Sequence, residues 1–216
     1  MITDLEAANL CQALYNGDKV FDFVGNIDDV DFAVKQYTDC TALIFEGSHT
    51  LSDWANDFDA LMIPAAEING ALVHHGFYRG LSTVMAHTLI KLPKEKPVFC
   101  IGHSLGAGRA HIFAAMLIVA GYQVEVVTFG SPRPGDKKLA DILEPFPNRS
   151  YWNYHDEWNH DIVGDVPVAV TPLFQFLIPR ERIKISVQPD AADPWGRIMG
   201  WHHLKYYIQG LCHGKS

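Results

Sequence analysis

The stretch VFCIGHSLGAGRA (residues 98–110) sets a G-x-S-x-G turn, formed by Gly102, Ser104 and Gly106, between an apolar strand and an apolar helix. A serine on such a tight turn is held in strained backbone geometry, and side chains at the two glycine positions would collide with the neighbouring elements. The turn would also aim the backbone N–H of Leu105 and the positive end of the helix at a developing oxyanion. Ser104 is therefore the predicted nucleophile.

The elements next to this turn predict an α/β fold with a mostly parallel central sheet. The strand at 98–102 is followed by a helix at about 105–120, a stop at Gly121 and a second strand at 123–130. A strand, a crossover helix and a strand in that order favour parallel pairing, in a sheet that helices cover on both faces.

Further elements are expected on both sides of this unit. Apolar residues recur at helical spacing over residues 3–16, and a long helix is expected from 77 to about 92. The runs FAVKQY (32–37) and CTALIFEG (40–47) predict a hairpin whose second strand is interior. The aromatic run at 151–154 predicts another strand.

The length and charge of the chain predict a single-domain protein that neither binds nucleic acid nor spans a membrane. A chain of 216 residues that is 48% hydrophobic can bury one sizeable core, so we expect a single domain over residues 1–216. The formal charge is −8, and Lys and Arg are not clustered as nucleic-acid binding requires. The longest apolar run, 112–120, is about half the roughly 20 residues that span a bilayer, so no transmembrane segment is predicted.

The N-terminus and the cysteines predict a cytoplasmic protein with reduced thiols. Asp4 and Glu6 stand where a secretory signal needs positive charge followed by an apolar stretch. The four cysteines are widely scattered along the chain: Cys11, Cys40, Cys100 and Cys212. The alternative is a disulfide between the first and the last of them.

The G-x-S-x-G turn between a strand and a helix predicts the α/β-hydrolase fold. A serine nucleophile requires a base, and the base requires an orienting acid; in the α/β-hydrolase fold both follow the serine in the chain. The stretch at 151–167 offers four carboxylates: Asp156, Glu157, Asp161 and Asp165. An acid just beyond the C-terminal end of a strand lies at the same edge of the sheet as Ser104. On this reasoning Asp156 and Asp161 remain equal candidates.

The base must be one of several histidines. His111 lies two helical turns beyond Ser104 and should point away from the site, while His155 and His160 crowd the acid segment. The later candidates are His202, His203 and His213. The first two of these follow a loop that contains Gly and Pro, at the start of a predicted helix, which is a suitable place for a general base.

Taken together, these features resemble the class 3 lipases, the family of fungal triacylglycerol lipases and feruloyl esterases. The resemblance extends over roughly residues 40–208 and rests on five motifs in the family's order. They are ALIFEGSHTLSDWANDF (42–58), VHHGF (73–77), GHSLGAGRA (102–110), VTFGSPRPGD (127–136) and DIVGDVP (161–167). This set is far more specific than the nucleophile turn alone.

The resemblance implies the remaining site residues. The family's acid opens a D-x-V-x-x-aliphatic-P run, which selects Asp161 over Asp156, and an aromatic residue five positions after the family's histidine selects His202, because Tyr207 follows it. The second oxyanion donor would be Ser48, beside the backbone N–H of Leu105. The sequence also departs from the family, with glutamate at position 46 where arginine is usual and arginine at 109 where an apolar residue is usual.

The resemblance also implies a lid over approximately residues 49–65. Four apolar residues of this segment recur at i, i+4, i+7 and i+8, as in an amphipathic helix: Trp54, Phe58, Leu61 and Met62. A lid that opens toward lipid would imply transient contact with a lipid interface. The alternative is a surface helix packed permanently on the core.

The predicted function is hydrolysis of carboxylic esters, small or lipid, through an acyl-enzyme, without a metal or another cofactor. Ser104 would attack, His202 would transfer the proton, Asp161 would orient the imidazole, and Ser48 and Leu105 would hold the oxyanion. The alternatives are an acyltransferase or amidase on the same triad and a non-catalytic binding module with this fold. A metal-dependent hydrolase built on HDEWNHD (155–161) has no supporting ligand signature.

Overall fold

The chain alternates strands and helices, as shown by a computed structural model that describes residues 1–48, 61–167, 177, 182–192 and 199–213. The helices and strands of these ranges are α1 (Asp4–Asn16), β1 (Phe23–Ile27), β2 (Val30–Gln36), β3 (Thr41–Phe45), β4 (Met62–Ala65), β5 (Ala71–His74), α2 (His75–Tyr78), α3 (Leu81–Thr88), β6 (Val98–His103), α4 (Leu105–Val119), β7 (Val124–Phe129), α5 (Lys137–Leu143), β8 (Asn148–Asn153), β9 (Ile183–Ile185) and α6 (Leu204–Cys212). None of the described helices is long and apolar enough to cross a bilayer.

Seven of the described strands form one sheet in the order β1-β2-β3-β6-β7-β8-β9, and β4 and β5 form a separate hairpin. The first three strands pair antiparallel, whereas β3, β6, β7, β8 and β9 are all parallel. The predicted mostly parallel sheet is thus confirmed. Its parallel strands all end at the same edge, where the segments that follow β3, β6, β7 and β8 come together.

Both faces of the sheet are covered. Successive residues of β3 alternate between two core clusters: Leu43 and Phe45 pack on the side of α4, and Ala42 and Ile44 pack on the side of α1 and α6. This double burial explains why every residue of β3 and β6 is buried and why the interior of both strands is apolar rather than alternating with polar residues.

Helix α1 forms where the periodicity predicts it. The Thr3 side chain caps it by accepting from the N–H of Glu6, and Gly17 ends it in a left-handed conformation. Near its N-terminus Asp4 pairs with Arg149, 2.6 Å away, and accepts from the Tyr151 hydroxyl, so α1 is anchored to β8.

The prediction of a single long helix from 77 to about 92 is wrong. Two helices, α2 and α3, are separated at Gly80, whose φ of 81° is incompatible with a continuous helix, and a short 3₁₀ turn covers Leu89–Lys91. A Cβ atom at Gly80 would come within 2.8 Å of Val30 on β2, so this close approach to the sheet also requires glycine.

The expected lid segment is only partly described. Trp54 and Phe58 lie outside the described residues. Leu61 has no regular structure, and Met62 begins β4 and pairs with His74 on β5, so the predicted helix does not include Met62. Residues 62–65 read MIPA, and a run that is apolar at every position fits a helix as well as a strand. Pairing with β5 makes it a strand.

A buried polar cluster joins α4 to β7 and β8. The imidazole of His111 is fully buried and contacts the carbonyl of Ala107 at 3.0 Å, Ser131 Oγ at 3.3 Å and Ser150 Oγ at 3.2 Å. Burial is the main cause that lowers the pKa of His111 to about 4. His111 therefore has a structural position, as expected for a residue that points away from the site.

We predict that this histidine makes the fold sensitive to acid. Its folded pKa lies below the ordinary value of 6.5, so its contribution to stability is fully present above pH 6.5 and is lost as the pH falls toward 4. Between pH 7 and 4.5 the wild type should lose about 2 kcal/mol more unfolding free energy than His111→Gln, as measured by urea titration.

The matched control is His87→Gln, because His87 makes the same contact with a helix carbonyl, that of Thr83, but is exposed. This exchange should leave the wild-type loss in place. An identical loss of stability in the wild type and in His111→Gln would contradict the prediction.

Candidate active site

Ser104 lies at the end of β6 in strained backbone geometry. Its φ of 60° and ψ of −130° lie in a region that residues with side chains rarely adopt, at a cost of about 1–3 kcal/mol. A Cβ atom at Gly102 would overlap the carbonyl of Gly106, and one at Gly106 would overlap the carbonyl of Phe45. The two glycines of the motif are thus required by close packing, as predicted.

His202 forms a buried pair with Asp161. Its Nδ1 lies 2.7 Å from Asp161 Oδ2, and both side chains are fully buried. Because a carboxylate can only accept, Nδ1 carries the proton and Nε2 is the free acceptor of the ring. This is the tautomer that a general base for a serine hydroxyl requires.

Asp161 is held by three donors. Besides His202, its carboxylate accepts from the Tyr207 hydroxyl at 2.5 Å and from the N–H of Val163 at 2.9 Å. Burial raises the pKa of Asp161, but the charge and hydrogen bond of His202, together with the other two donors, outweigh it and hold the pKa below its usual range. The acid is therefore ionised at neutral pH.

The three predicted triad residues meet at one edge of the sheet. The N–H of Ser104 donates to the carbonyl of Phe129 at 3.1 Å, and a Cβ atom on the next residue, Gly130, would lie 2.6 Å from Asp161 Oδ2 and 2.8 Å from His202 Nδ1. The segment after β7 thus touches the nucleophile turn on one side and the acid–base pair on the other.

The two atoms predicted to react are Ser104 Oγ and His202 Nε2. Both are buried, and neither makes a hydrogen bond with a described residue, the other atom included. A catalytic hydrogen bond is often long or poorly aligned in the absence of substrate and shortens in the Michaelis complex. Because the Ser104 hydroxyl is a donor and His202 Nε2 is an acceptor, each atom is a suitable partner for the other.

The oxyanion side of the site follows β3. Gly47 is buried against the nucleophile turn, since a Cβ atom there would lie 2.7 Å from the His103 carbonyl and 3.1 Å from Ser104 Cβ. Ser48 comes next in the chain and is half-buried. Leu105 opens α4, so its N–H is among the helix N–H groups that have no intrahelical acceptor. Both predicted donors therefore border the turn that carries Ser104.

The other sequence candidates are engaged elsewhere. Asp156 accepts hydrogen bonds within its own turn, from the N–H groups of Trp158 and Asn159, and His160 contacts Asp165 Oδ2 at 2.8 Å. His155 contacts Ser186 at 3.0 Å. The histidines and Asp156 of HDEWNHD thus bind different groups instead of converging on one point. Among the described residues, no group of three or more possible ligands could hold a metal ion.

Two residues that sequence reasoning did not assign to the site hold it together. Tyr207 was only a marker for the choice of histidine, yet its hydroxyl binds the acid. Asn153 is fully buried at the end of β8. Its side-chain amide donates to the backbone carbonyl of Trp201, and its backbone carbonyl accepts from the N–H of Asp161. A buried asparagine at the end of a strand is the signal that could have identified it.

The two departures from the family pattern lie behind the site. The guanidinium of Arg109 is mostly buried and reaches the carbonyl of Asp29 at the β1–β2 turn, 3.3 Å away. Burial lowers its pKa to about 10, against the opposing charges of Asp31 and Asp29. Glu46 is half-buried, and its backbone N–H donates to the carbonyl of Asp31 at 3.0 Å. Neither of these contacts involves the triad.

Comparison with known proteins assigns the chain to a family. The family profile described as "Lipase (class 3)" matches residues 42–171, more than half of the chain. Over 119 residues the chain is 35% identical to the toxin TseL of Vibrio cholerae, and this match covers 52% of this chain and 18% of that protein. It is 26% identical over 202 residues to Phospholipase A1-II 7 of Oryza sativa subsp. indica, which covers 74% of this chain and 48% of the relative.

Solved structures show the same fold. The triacylglyceride lipase of Rhizomucor miehei superposes with a TM-score of 0.65 at 22% sequence identity, over 85% of this chain and 78% of that one. This likeness supports the fold assignment. The chain spans less than half the length of the two curated relatives above.

We predict that Tyr207→Phe lowers kcat/KM by about tenfold, the value expected for loss of one hydrogen bond to a buried carboxylate. The imidazole of His202 would then depend on a less firmly held acid. The measurement is steady-state hydrolysis of a soluble ester.

Tyr206→Phe is the matched control, because the neighbouring hydroxyl accepts from the N–H of Asp190 and does not touch the acid. A wild-type rate for Tyr207→Phe, or an equal loss in both variants, would show that the contact with Asp161 has no role in the reaction.

Proposed function

Since the chain belongs to the class 3 lipase family, we propose that it hydrolyses carboxylic esters with Ser104 as the nucleophile. The observation that carries the proposal is the buried Asp161–His202 pair, whose ring stacks on His103, the residue before Ser104, and whose Nε2 is buried, as is the Ser104 hydroxyl. A strained serine beside such a pair is the arrangement that nucleophilic acyl transfer needs.

In the first half of the reaction, His202 Nε2 takes the hydroxyl proton as Ser104 Oγ forms a bond to the ester carbonyl carbon. The resulting oxyanion would be held by the N–H of Leu105 and by Ser48, and one such donor contributes about 2.7–4 kcal/mol. The C–O bond to the alcohol then breaks, and the proton on Nε2 passes to the leaving alcohol. The product is an acyl-Ser104 ester.

In the second half, water replaces the alcohol. Nε2 removes a proton from the water as its oxygen attacks the acyl carbon, and the same proton returns to Ser104 Oγ when the acid product leaves. Asp161 keeps the ring in its tautomer and stabilises the imidazolium in both halves, and it is not protonated itself. No cofactor takes part in this proposed sequence.

We propose lipid esters presented at an interface as the substrate class. Trp158 is 90% exposed at the tip of a turn in which the Asp156 carboxylate accepts three hydrogen bonds, from the backbone N–H groups of Trp158 and Asn159 and from the Asn159 amide. Ile162, the residue after Asp161, is also exposed. Both border an open cleft of about 640 Å³. A rigidly displayed tryptophan is suited to a lipid–water interface, where its ring is buried among acyl chains and its N–H stays hydrated.

We also propose a reducing, cytoplasmic location. The support is that all four cysteines are free, and that three of them, Cys11, Cys40 and Cys100, are buried. Burial raises the pKa of Cys11 and Cys100, so both thiols resist oxidation. Four titratable thiols in the denatured protein, without added reductant, would agree with this proposal, and two would contradict it.

The function is tested with p-nitrophenyl esters of increasing chain length and with a fluorophosphonate. We predict turnover together with covalent labelling of Ser104, and loss of both in Ser104→Ala by at least about 10³-fold. A wild type that is neither labelled nor active at several enzyme concentrations would contradict the proposal.

The substrate class is tested with Trp158→Ala on the same esters. The variant should keep its rate on a soluble short-chain ester and lose activity on an emulsified long-chain ester, by about fivefold. Ile90→Ala, which also removes a highly exposed apolar side chain but lies after α3, is the control. Equal rates of Trp158→Ala and wild type on the emulsion would contradict a role at the interface.

A further inference from the structure

The hydroxyl of Tyr15, on the N-terminal helix α1, reaches the catalytic edge of the sheet. It lies 3.0 Å from Nδ1 of His103, the residue before the nucleophile. It also shares a hydrogen bond with the backbone of Gly47, the residue before the predicted oxyanion donor Ser48. A side chain remote from the triad in sequence thus contacts two segments that border the reacting atoms.

His103 extends this contact to the base. Its Nε2 lies 2.9 Å from the backbone carbonyl of His202, and its ring stacks on the His202 ring with centroids 4.7 Å apart. Because a carbonyl only accepts, Nε2 of His103 carries the proton and Nδ1 is the acceptor for Tyr15. The hydrogen bonds therefore have a fixed direction, from Gly47 N–H to Tyr15, from Tyr15 to His103, and from His103 to His202.

The charge of His103 suits this position. Burial, followed by the nearby His202, lowers the pKa of His103 to about 3. His103 thus stays neutral while His202 becomes an imidazolium during the reaction, so the stacked rings do not repel each other. A protonated His103 would also lose its acceptor for the Tyr15 hydroxyl.

We propose that Tyr15 and His103 are positioning residues that fix the oxyanion segment and the general base relative to Ser104. The proposal rests on the esterase function proposed above. Neither side chain touches the reacting atoms; Tyr15 acts through Gly47 and His103, and His103 acts through the backbone and the ring of His202.

The energetic reason is the precision that the reaction demands. Oxyanion donors and base must be placed to within a fraction of an ångström, and a displacement of about 1 Å can cost 10²-fold in rate. Gly47 and His202 lie in different loops, and a chain of hydrogen bonds through Tyr15 and His103 joins them. A Cβ atom at Gly47 would overlap the Tyr15 hydroxyl, so the two residues are in close van der Waals contact.

The first test is Tyr15→Phe, which keeps the ring and removes the hydroxyl. We expect kcat for a soluble ester, and the rate of fluorophosphonate labelling of Ser104, to fall about tenfold, with KM changed less than about twofold. A fall in the rate constant for labelling indicates misplaced reacting groups, whereas a loss of folded protein lowers the labelled fraction. The value of kcat is therefore calculated per labelled enzyme.

The matched control is Tyr37→Phe. The Tyr37 hydroxyl also binds α1, through Glu6 Oε1 at 2.7 Å, but lies far from the triad in the fold, beside the start of β3. This variant measures the effect of losing one tyrosine hydrogen bond to the helix, and it should keep the wild-type kcat. Equal kcat in Tyr15→Phe and Tyr37→Phe would overturn the proposal.

A second test separates the two ends of His103. Glutamine can place an amide near the position of Nε2 and keep the bond to the His202 carbonyl, whereas asparagine reaches only the position of Nδ1. We expect His103→Gln to retain at least about tenfold more activity than His103→Asn. Adding Tyr15→Phe to His103→Gln should cost little more, because residues that act through one another are not additive.

The outcomes distinguish this proposal from the proposed function. If the wild type is neither labelled nor active, the esterase function fails and the proposal fails with it. If the wild type is labelled and active but Tyr15→Phe matches it, the function stands and the positioning role is overturned. If the His103 variants do not fold, the comparison of Tyr15→Phe with Tyr37→Phe decides.

Discussion

The site depends on one buried hydrogen bond, between His202 Nδ1 and Asp161 Oδ2. Removing a carboxylate from water is costly, and this carboxylate is kept ionised by three donors that converge on it. Because Nδ1 is committed to the acid, the ring can face Ser104 only with Nε2. Without this bond the imidazole would be free to rotate or to adopt the other tautomer, and the serine would lack a base.

The fold supplies this bond by bringing distant segments to one sheet edge. The proposed acid follows β8, the proposed base precedes α6, the proposed nucleophile follows β6 and the proposed oxyanion segment follows β3. In a parallel sheet the ends of neighbouring strands meet although they are distant in the chain, as are the ends of β3 and β6, Phe45 and His103, which lie 58 residues apart. Around this edge, Asn153, Tyr207 and His103 make hydrogen bonds to the backbone or to Asp161 and so connect the loops that carry the proposed reacting groups.

Much of this arrangement could be predicted from the sequence. The apolar strand before Ser104 and the glycines around it identify the nucleophile turn, because local sterics allow few other residues there. Asp161 and His202 were harder, since periodicity does not say which of several acids or histidines returns to the turn. The family motifs made that choice, and the structure pairs these two side chains.

The remaining features depend on contacts between segments that sequence patterns do not encode. The break at Gly80 follows from the close approach of β2, and the weak alternation of FVGNI concealed β1, which is stabilised by pairing with β2. Met62 belongs to a strand because β5 lies beside it. In the same way, the roles of Tyr15 and Asn153 become visible only when α1 and β8 are placed next to the loops that they bind.

The most direct test of the account is the rate at which a fluorophosphonate labels Ser104 in Asp161→Asn, compared with Asp156→Asn. An amide at position 161 has one acceptor oxygen and no charge, so it cannot serve the donors on both carboxylate oxygens or stabilise an imidazolium. We therefore predict a labelling rate about 10³–10⁴-fold below wild type. Asp156→Asn should label at the wild-type rate, because that side chain serves only its own turn. Wild-type labelling of Asp161→Asn would contradict the account.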